Sequence, residues 1–138
     1  MERKVAFEIK KLDNLISRKI CQNLKDGNLS NISHLQINIL KYLYLNNNSF
    51  KSINSLKDFK NLNEADLMCN LNLENLDGLE NNQNLIFLCA QFCNLKNIIG
   101  VKGSKNLKTA SFKFNSNLET LSGLENTSTS ICFPKVHN

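Results

Sequence analysis

The sequence of 138 residues predicts an α/β fold, a short solenoid of about four repeats that together form a parallel β-sheet, preceded by a capping helix. The solenoid is predicted by a period. Apolar residues open successive units at Leu40, Leu62, Leu85 and Leu107, so the openings lie 22, 23 and 22 residues apart. The order of residue types repeats within each unit. This is typical of stacked units that cannot bury an apolar face alone.

The first half of each unit follows the pattern LxxLxL and ends in a turn residue. In the first unit Leu43 and Leu45 alternate along a short predicted strand and point inward, and Asn48 then turns the chain. A buried amide must be paired, so this Asn should bond to backbone groups of a neighbouring unit. The predicted strands are residues 42–45, 64–67, 87–90 and 109–112, and the turn residues that follow them are Asn48, Asn70, Cys93 and Asn115.

The second half of each unit carries apolar residues three apart. In the first unit these are Phe50, Ile53, Leu56 and Phe59. Side chains at positions i and i+3 share one face of a 3₁₀ helix, so a 3₁₀-like or irregular return segment is expected here. The second and fourth units each carry one extra residue directly after the turn Asn.

The segments that flank the four units have weaker patterns. Helical spacing predicts an amphipathic helix over residues 3–24 that covers the first coil, because the end of a solenoid exposes apolar surface. Residues 29–35 resemble the tail of a degenerate earlier repeat, and a last short strand is expected around Ile131–Phe133. The predicted domains are therefore a cap helix in residues 1–28 and a solenoid in residues 29–138.

Residues 40–124 resemble the leucine-rich-repeat family, and within it the 22-residue class found in internalins and in the nuclear regulator of protein phosphatase 1. The segments LDGLEN (76–81) and LSGLEN (121–126) are similar to the second half of that repeat. In that family Cys is a familiar substitute for the turn Asn, as at Cys93. The resemblance implies a parallel sheet on the concave face of the solenoid and leaves the ligand open.

A second resemblance competes for the N-terminal third. The stretches AFEIKKLDNLISRKI and NISHLQINILKYLYLNN resemble the first two helices of MarR-type winged-helix regulators, which would make residues 33–46 helical. No recognition helix and no β-wing follow Asn48, whereas the repeat accounts for Asn48 through Phe59 as well. The solenoid is favoured for this segment, and a transcriptional regulator fused to repeats is the alternative function.

Composition excludes several classes of function. The net charge is +5, and most of it lies in residues 1–25, where a solvated helix face accounts for it better than nucleic-acid binding does. No run approaches the roughly 20 apolar residues of a membrane span, and no leader pattern is present. Five cysteines at irregular spacing indicate free thiols and a cytoplasmic location. His34, His137 and the pair Cys89 and Cys93 lack metal-ligand spacing, so no metal, cofactor or catalytic residue is predicted.

The predicted binding surface is the concave sheet, here called the sheet face, formed by the third, fifth, seventh and eighth residues of each unit. These positions stack into four columns: Tyr42, Glu64, Phe87 and Thr109; Tyr44, Asp66, Cys89 and Ser111; Asn46, Met68, Gln91 and Lys113; Asn47, Cys69, Phe92 and Phe114. The last of these columns consists of the eighth residue of each unit and is called the eighth column below.

Aromatic residues and Met are enriched at protein interfaces, so the sheet face predicts a non-enzymatic module that binds a partner protein. The predicted contact residues are Tyr42, Tyr44, Glu64, Asp66, Met68, Phe87, Gln91, Phe92, Lys113 and Phe114. Neighbouring strands lie about 4.8 Å apart, so the rings of Phe92 and Phe114 should stack.

Overall fold

The computed structural model describes Leu15, residues 40–125 and residues 130–132. The predicted cap helix and the degenerate repeat at 29–35 lie outside the described residues, apart from Leu15. The described residues form five β-strands: β1 (Tyr42–Tyr44), β2 (Glu64–Asp66), β3 (Phe87–Cys89), β4 (Thr109–Ser111) and β5 (Ser130–Cys132). They pair in chain order and in parallel within one sheet. This confirms one strand per unit, each a residue shorter than predicted, and β5 begins one residue before the predicted last strand.

Strand β1 decides between the two interpretations of the N-terminal third. A helix over residues 33–46 would have to run through Tyr42–Tyr44, and those residues are extended and paired with β2. A continuous helix over residues 33–46 is therefore wrong at Tyr42–Tyr44. The spacing misleads because Leu40 and Leu43 lie three apart, as they also would on one face of a helix.

The core lies between the sheet and the return segments. The middle residue of each of the first four strands is fully buried, and these residues (Leu43, Ala65, Leu88 and Ala110) pair with one another across the sheet. The apolar residues of the first return segment, Phe50, Ile53, Leu56 and Phe59, are at most 1% exposed. Each coil thus buries its apolar side against the next.

The return segments contain the 3₁₀ helices η1 (Asn54–Asp58) and η2 (Ile99–Val101), and turns elsewhere, as predicted. Glycines let successive coils approach closely here. A Cβ on Gly78, which has φ of 114°, would collide with the Ile53 carbonyl, and one on Gly100 would collide with the Leu76 carbonyl. The close approach of the two coils accounts for Gly100, since only a residue without a side chain fits.

The turn residues form a column of buried hydrogen bonds, here called the turn ladder (Asn48, Asn70, Cys93 and Asn115). Asn70 is fully buried, and its Nδ2 donates to the Leu67 carbonyl at 2.7 Å and to the Leu45 carbonyl of the preceding coil at 3.0 Å. Its Oδ1 accepts the Phe50 N–H at 3.4 Å. Asn48, which is half-buried, donates to the Leu45 carbonyl at 2.8 Å.

Asn115 repeats this arrangement two coils later. Its Nδ2 donates to the Phe112 carbonyl at 2.9 Å and to the Ala90 carbonyl at 2.8 Å, and its Oδ1 accepts the Leu95 N–H at 3.0 Å. Both buried amides bond to the backbone of the preceding coil, which confirms the predicted role of these residues. The carboxamide serves as donor and as acceptor in the same place.

Cys93 stands in the ladder where only a donor is needed. Its thiol donates to the Leu67 carbonyl at 3.3 Å. The second coil carries the extra residue Leu71, and its Leu73 N–H bonds to the Asn70 carbonyl of the same coil at 3.0 Å. The Leu73 N–H therefore needs no acceptor at position 93, so a thiol, a weak donor and a poor acceptor, suffices.

Candidate partner-binding surface

The predicted contact residues lie on the outer side of the sheet, flanking the buried middle residues. Phe87 is 38% exposed, Phe92 41% and Phe114 60%. Lys113 is exposed, and Tyr42, Tyr44, Glu64, Asp66, Met68 and Gln91 are half-buried. The aromatic exposure therefore concentrates on the third and fourth coils.

The polar residues of the first two coils are tied to one another. Tyr44 Oη donates to Glu64 Oε2 at 2.8 Å, and Asp66 Oδ1 accepts the Met68 N–H at 3.0 Å. Burial, together with the Glu64 carboxylate, holds the pKa of Tyr44 well above its ordinary value, so the phenol remains the donor. Both carboxylates of this part of the sheet face serve internal hydrogen bonds.

Two further polar side chains are bound across the third and fourth coils. Gln91 Nε2 donates to Ser111 Oγ at 2.8 Å.

Cys89, although at an outward position of β3, is only 8% exposed. Burial raises the pKa of its thiol, and burial raises that of Cys93 to about 11. Within the described part of the chain, no cluster of His, Cys, Asp and Glu has the composition of a metal site.

The eighth column has a left-handed backbone throughout. The φ angles are 59° at Asn47, 61° at Cys69, 51° at Phe92 and 60° at Phe114. Hydrogen bonds fix this conformation, because the N–H groups of the first three residues donate to the seventh residue of the next coil, Met68, Gln91 or Lys113, at 2.8 to 3.1 Å. Sequence reasoning missed this feature. Its one signal was Asn47, since Asn tolerates the left-handed region.

Phe92 and Phe114 stack as predicted. Their ring centroids lie 4.2 Å apart, and the planes differ by 8°. A left-handed backbone costs a bulky residue about 1–2 kcal/mol, and an aromatic pair returns about 0.5–1.5 kcal/mol. The two backbone costs exceed the one stacking gain, and neither ring lies in the core. The fold alone gives no reason for two Phe residues here.

Sequence reasoning also missed Ile86. This residue is 39% exposed and directly precedes Phe87, so it adds exposed apolar surface at the start of β3. The signal was an apolar second residue in this unit alone, because the corresponding residues of the other units are Lys41, Asn63 and Lys108.

Within the described ranges no helix has the length and apolar character to cross a membrane. No protein-family model and no curated protein matches the chain. Among solved structures the chain is similar to an internalin from Listeria monocytogenes, with 26% identity and a TM-score of 0.61. The likeness covers 68% of this chain and 27% of that internalin, so the chain spans about a quarter of its length. The repeated strands, the turn ladder and this likeness agree, and the chain has an internalin-like leucine-rich-repeat fold.

Proposed function

We propose that the chain is a non-enzymatic protein–protein interaction module that binds a partner protein through the sheet face, on the concave side of the solenoid. The observation that carries this proposal is the exposed, stacked pair of Phe92 and Phe114 on strained backbone. Exposed aromatic residues of this kind are typical interface hot spots, because they bury a large area and lose little side-chain entropy. An internalin-like repeat fold is also typically a binding scaffold. The ten sheet-face residues predicted from the sequence remain the proposed contact set.

The proposed location is the cytoplasm. The cysteines of the described part, Cys69, Cys89, Cys93 and Cys132, are free thiols, which supports a reducing environment. The regulator alternative has no comparable support, because β1 occupies part of the segment that it requires as a helix.

The test compares partner capture by the full chain with capture by the variant Phe92→Ala, Phe114→Ala, using quantitative mass spectrometry. We expect the double variant to bind the captured partner at least about tenfold more weakly, as is typical when hot-spot residues are truncated. The matched control is Ile99→Ala, which removes an equally exposed apolar side chain from a return segment and should leave binding unchanged. A folded double variant that binds normally would contradict the proposal.

A further inference from the structure

We propose that Phe92, Phe114 and Lys113, here called the aromatic rim, bind a segment of the partner in which an apolar side chain adjoins a carboxylate. This inference rests on the proposed function and assigns the chemistry of the partner. It depends on three features of the rim: the strained backbone of the rings, their exposure, and the charge beside them.

The first feature is that the rings are not required by the fold. Asn47 occupies the same column in the first coil with φ of 59°, so a small residue that tolerates the left-handed region serves the turn. Phe92 and Phe114 adopt this backbone against the preference of a bulky side chain. Strain of this kind collects at functional sites, where the side chain is retained for a task outside folding.

The second feature is the surface that the rings present. The stack leaves Phe114 60% exposed and Phe92 41% exposed, so part of each ring is open to a partner. The stacking holds both rings in one orientation, which lowers the entropy lost when an apolar side chain packs against them.

The third feature is the sign of the charge that is available beside the rings. Glu64 and Asp66 already accept hydrogen bonds from Tyr44 and from the Met68 N–H. Lys113 precedes Phe114 and is exposed, and its side-chain ammonium group forms no hydrogen bond or ion pair within the described part of the chain. A carboxylate on the partner therefore complements this edge, whereas a basic segment would be repelled by it.

The test uses a library of short random peptides displayed on phage and selected on the full chain, with depletion against Phe92→Asn, Phe114→Asn. Asn is the residue of the first coil at this position, so the depletion variant is matched to the backbone. We expect the enriched peptides to carry Leu, Phe or Trp beside Asp or Glu. In fluorescence polarisation their affinity should fall at least about tenfold with the double variant.

The charge is tested separately from the rings. Lys113→Gln introduces the residue that the third coil has at this position, Gln91. It should lower the affinity of the selected peptides about threefold, as the loss of an exposed ion pair would. Lys113→Glu should restore binding of a peptide whose acidic residue is replaced by Lys. The control Lys105→Gln removes an exposed charge from a turn elsewhere and should have no effect.

The outcomes separate this proposal from the proposed function. The aromatic-rim proposal is overturned if the selection enriches basic peptides. It is also overturned if no enriched peptide binds the wild type more tightly than the double variant. If peptides selected without the depletion step lose affinity with Tyr42→Ala but not with rim variants, the sheet face binds partners and only the rim assignment fails. If their binding is insensitive to every sheet-face variant, both proposals fail. An unfolded double variant overturns the rim as well, because the rings would then serve the fold.

Discussion

The turn ladder and the eighth column are adjacent in every coil, yet the fold constrains them in different ways. In the ladder the side chain is constrained, because a buried amide such as Asn115 bonds to backbone groups of two coils. In the eighth column the backbone is constrained instead, with φ held near 60°, and three of the four side chains, those of Asn47, Phe92 and Phe114, are exposed. A column with a fixed backbone and exposed side chains is where binding residues can vary, whereas a ladder amide that is both donor and acceptor, such as Asn115, must keep its chemistry.

The largest expected effect comes from breaking the ladder. Asn115→Leu keeps the side-chain volume but leaves the Leu95 N–H and the Ala90 and Phe112 carbonyls without their buried partner. We expect a loss of about 3 kcal/mol or more in the free energy of unfolding, measured by urea denaturation. Asn117→Leu, at an exposed position, is the control and should change stability little. A loss below about 1 kcal/mol at Asn115 would show that these groups are satisfied otherwise.

Alkaline pH should weaken the ladder at Cys93. Burial raises the pKa of this thiol from 9.0 to about 11, so the folded chain holds its proton more tightly than the unfolded chain does. The resulting stability is fully present below about pH 9 and is lost as the pH rises toward about 11, by roughly 2 kcal/mol. Urea denaturation of wild type and Cys93→Ala across this range checks the prediction. Parallel curves for the two proteins would assign the loss to other groups, such as Tyr44.

The two kinds of ladder residue should differ at neutral pH. Cys93→Ala removes the thiol donor but no acceptor of the Leu73 N–H, because that N–H is already bound within its own coil. We expect a loss of about 1 kcal/mol, against about 2 kcal/mol or more for Asn70→Ala, which removes donor and acceptor together. Thermal and urea unfolding of the two variants give the difference. Equal losses would contradict the view that position 93 needs no acceptor.

The smallest effect has the opposite sign and concerns the eighth column. Phe92→Asn with Phe114→Asn relieves two strained backbones and gives up one stacked pair, so stability should rise by about 1 kcal/mol. The melting temperature would then rise by roughly 4 °C. The reciprocal change, Asn47→Phe, should lower stability by about 1 kcal/mol. A destabilised double variant would mean that the rings contribute more to the fold than their exposure indicates.

The sequence was sufficient for features that depend on period and spacing. The strands follow from LxxLxL, and the stacking of Phe92 on Phe114 follows from equivalent positions in neighbouring coils. The left-handed φ of the eighth column was not predictable from Phe, which disfavours it, because hydrogen bonds between coils impose that backbone. The burial of Cys89 likewise depends on its neighbours in space. At β1 the same leucine spacing fitted helix and repeat, and only strand pairing separates them.

The extra residue Leu71 links the length of one coil to the chemistry of the next. Deleting it would return the N–H of residue 73 to the arrangement of the shorter coils, in which the following ladder residue must accept it. A thiol accepts poorly, so the deletion would be tolerated with Asn at position 93 and costly with Cys. The deletion of Leu71 and the replacement of Cys93 by Asn are thus coupled, and the replacement has to come first. A lineage that shortens this coil must first replace Cys93, and one that lengthens a coil releases the next ladder position to vary.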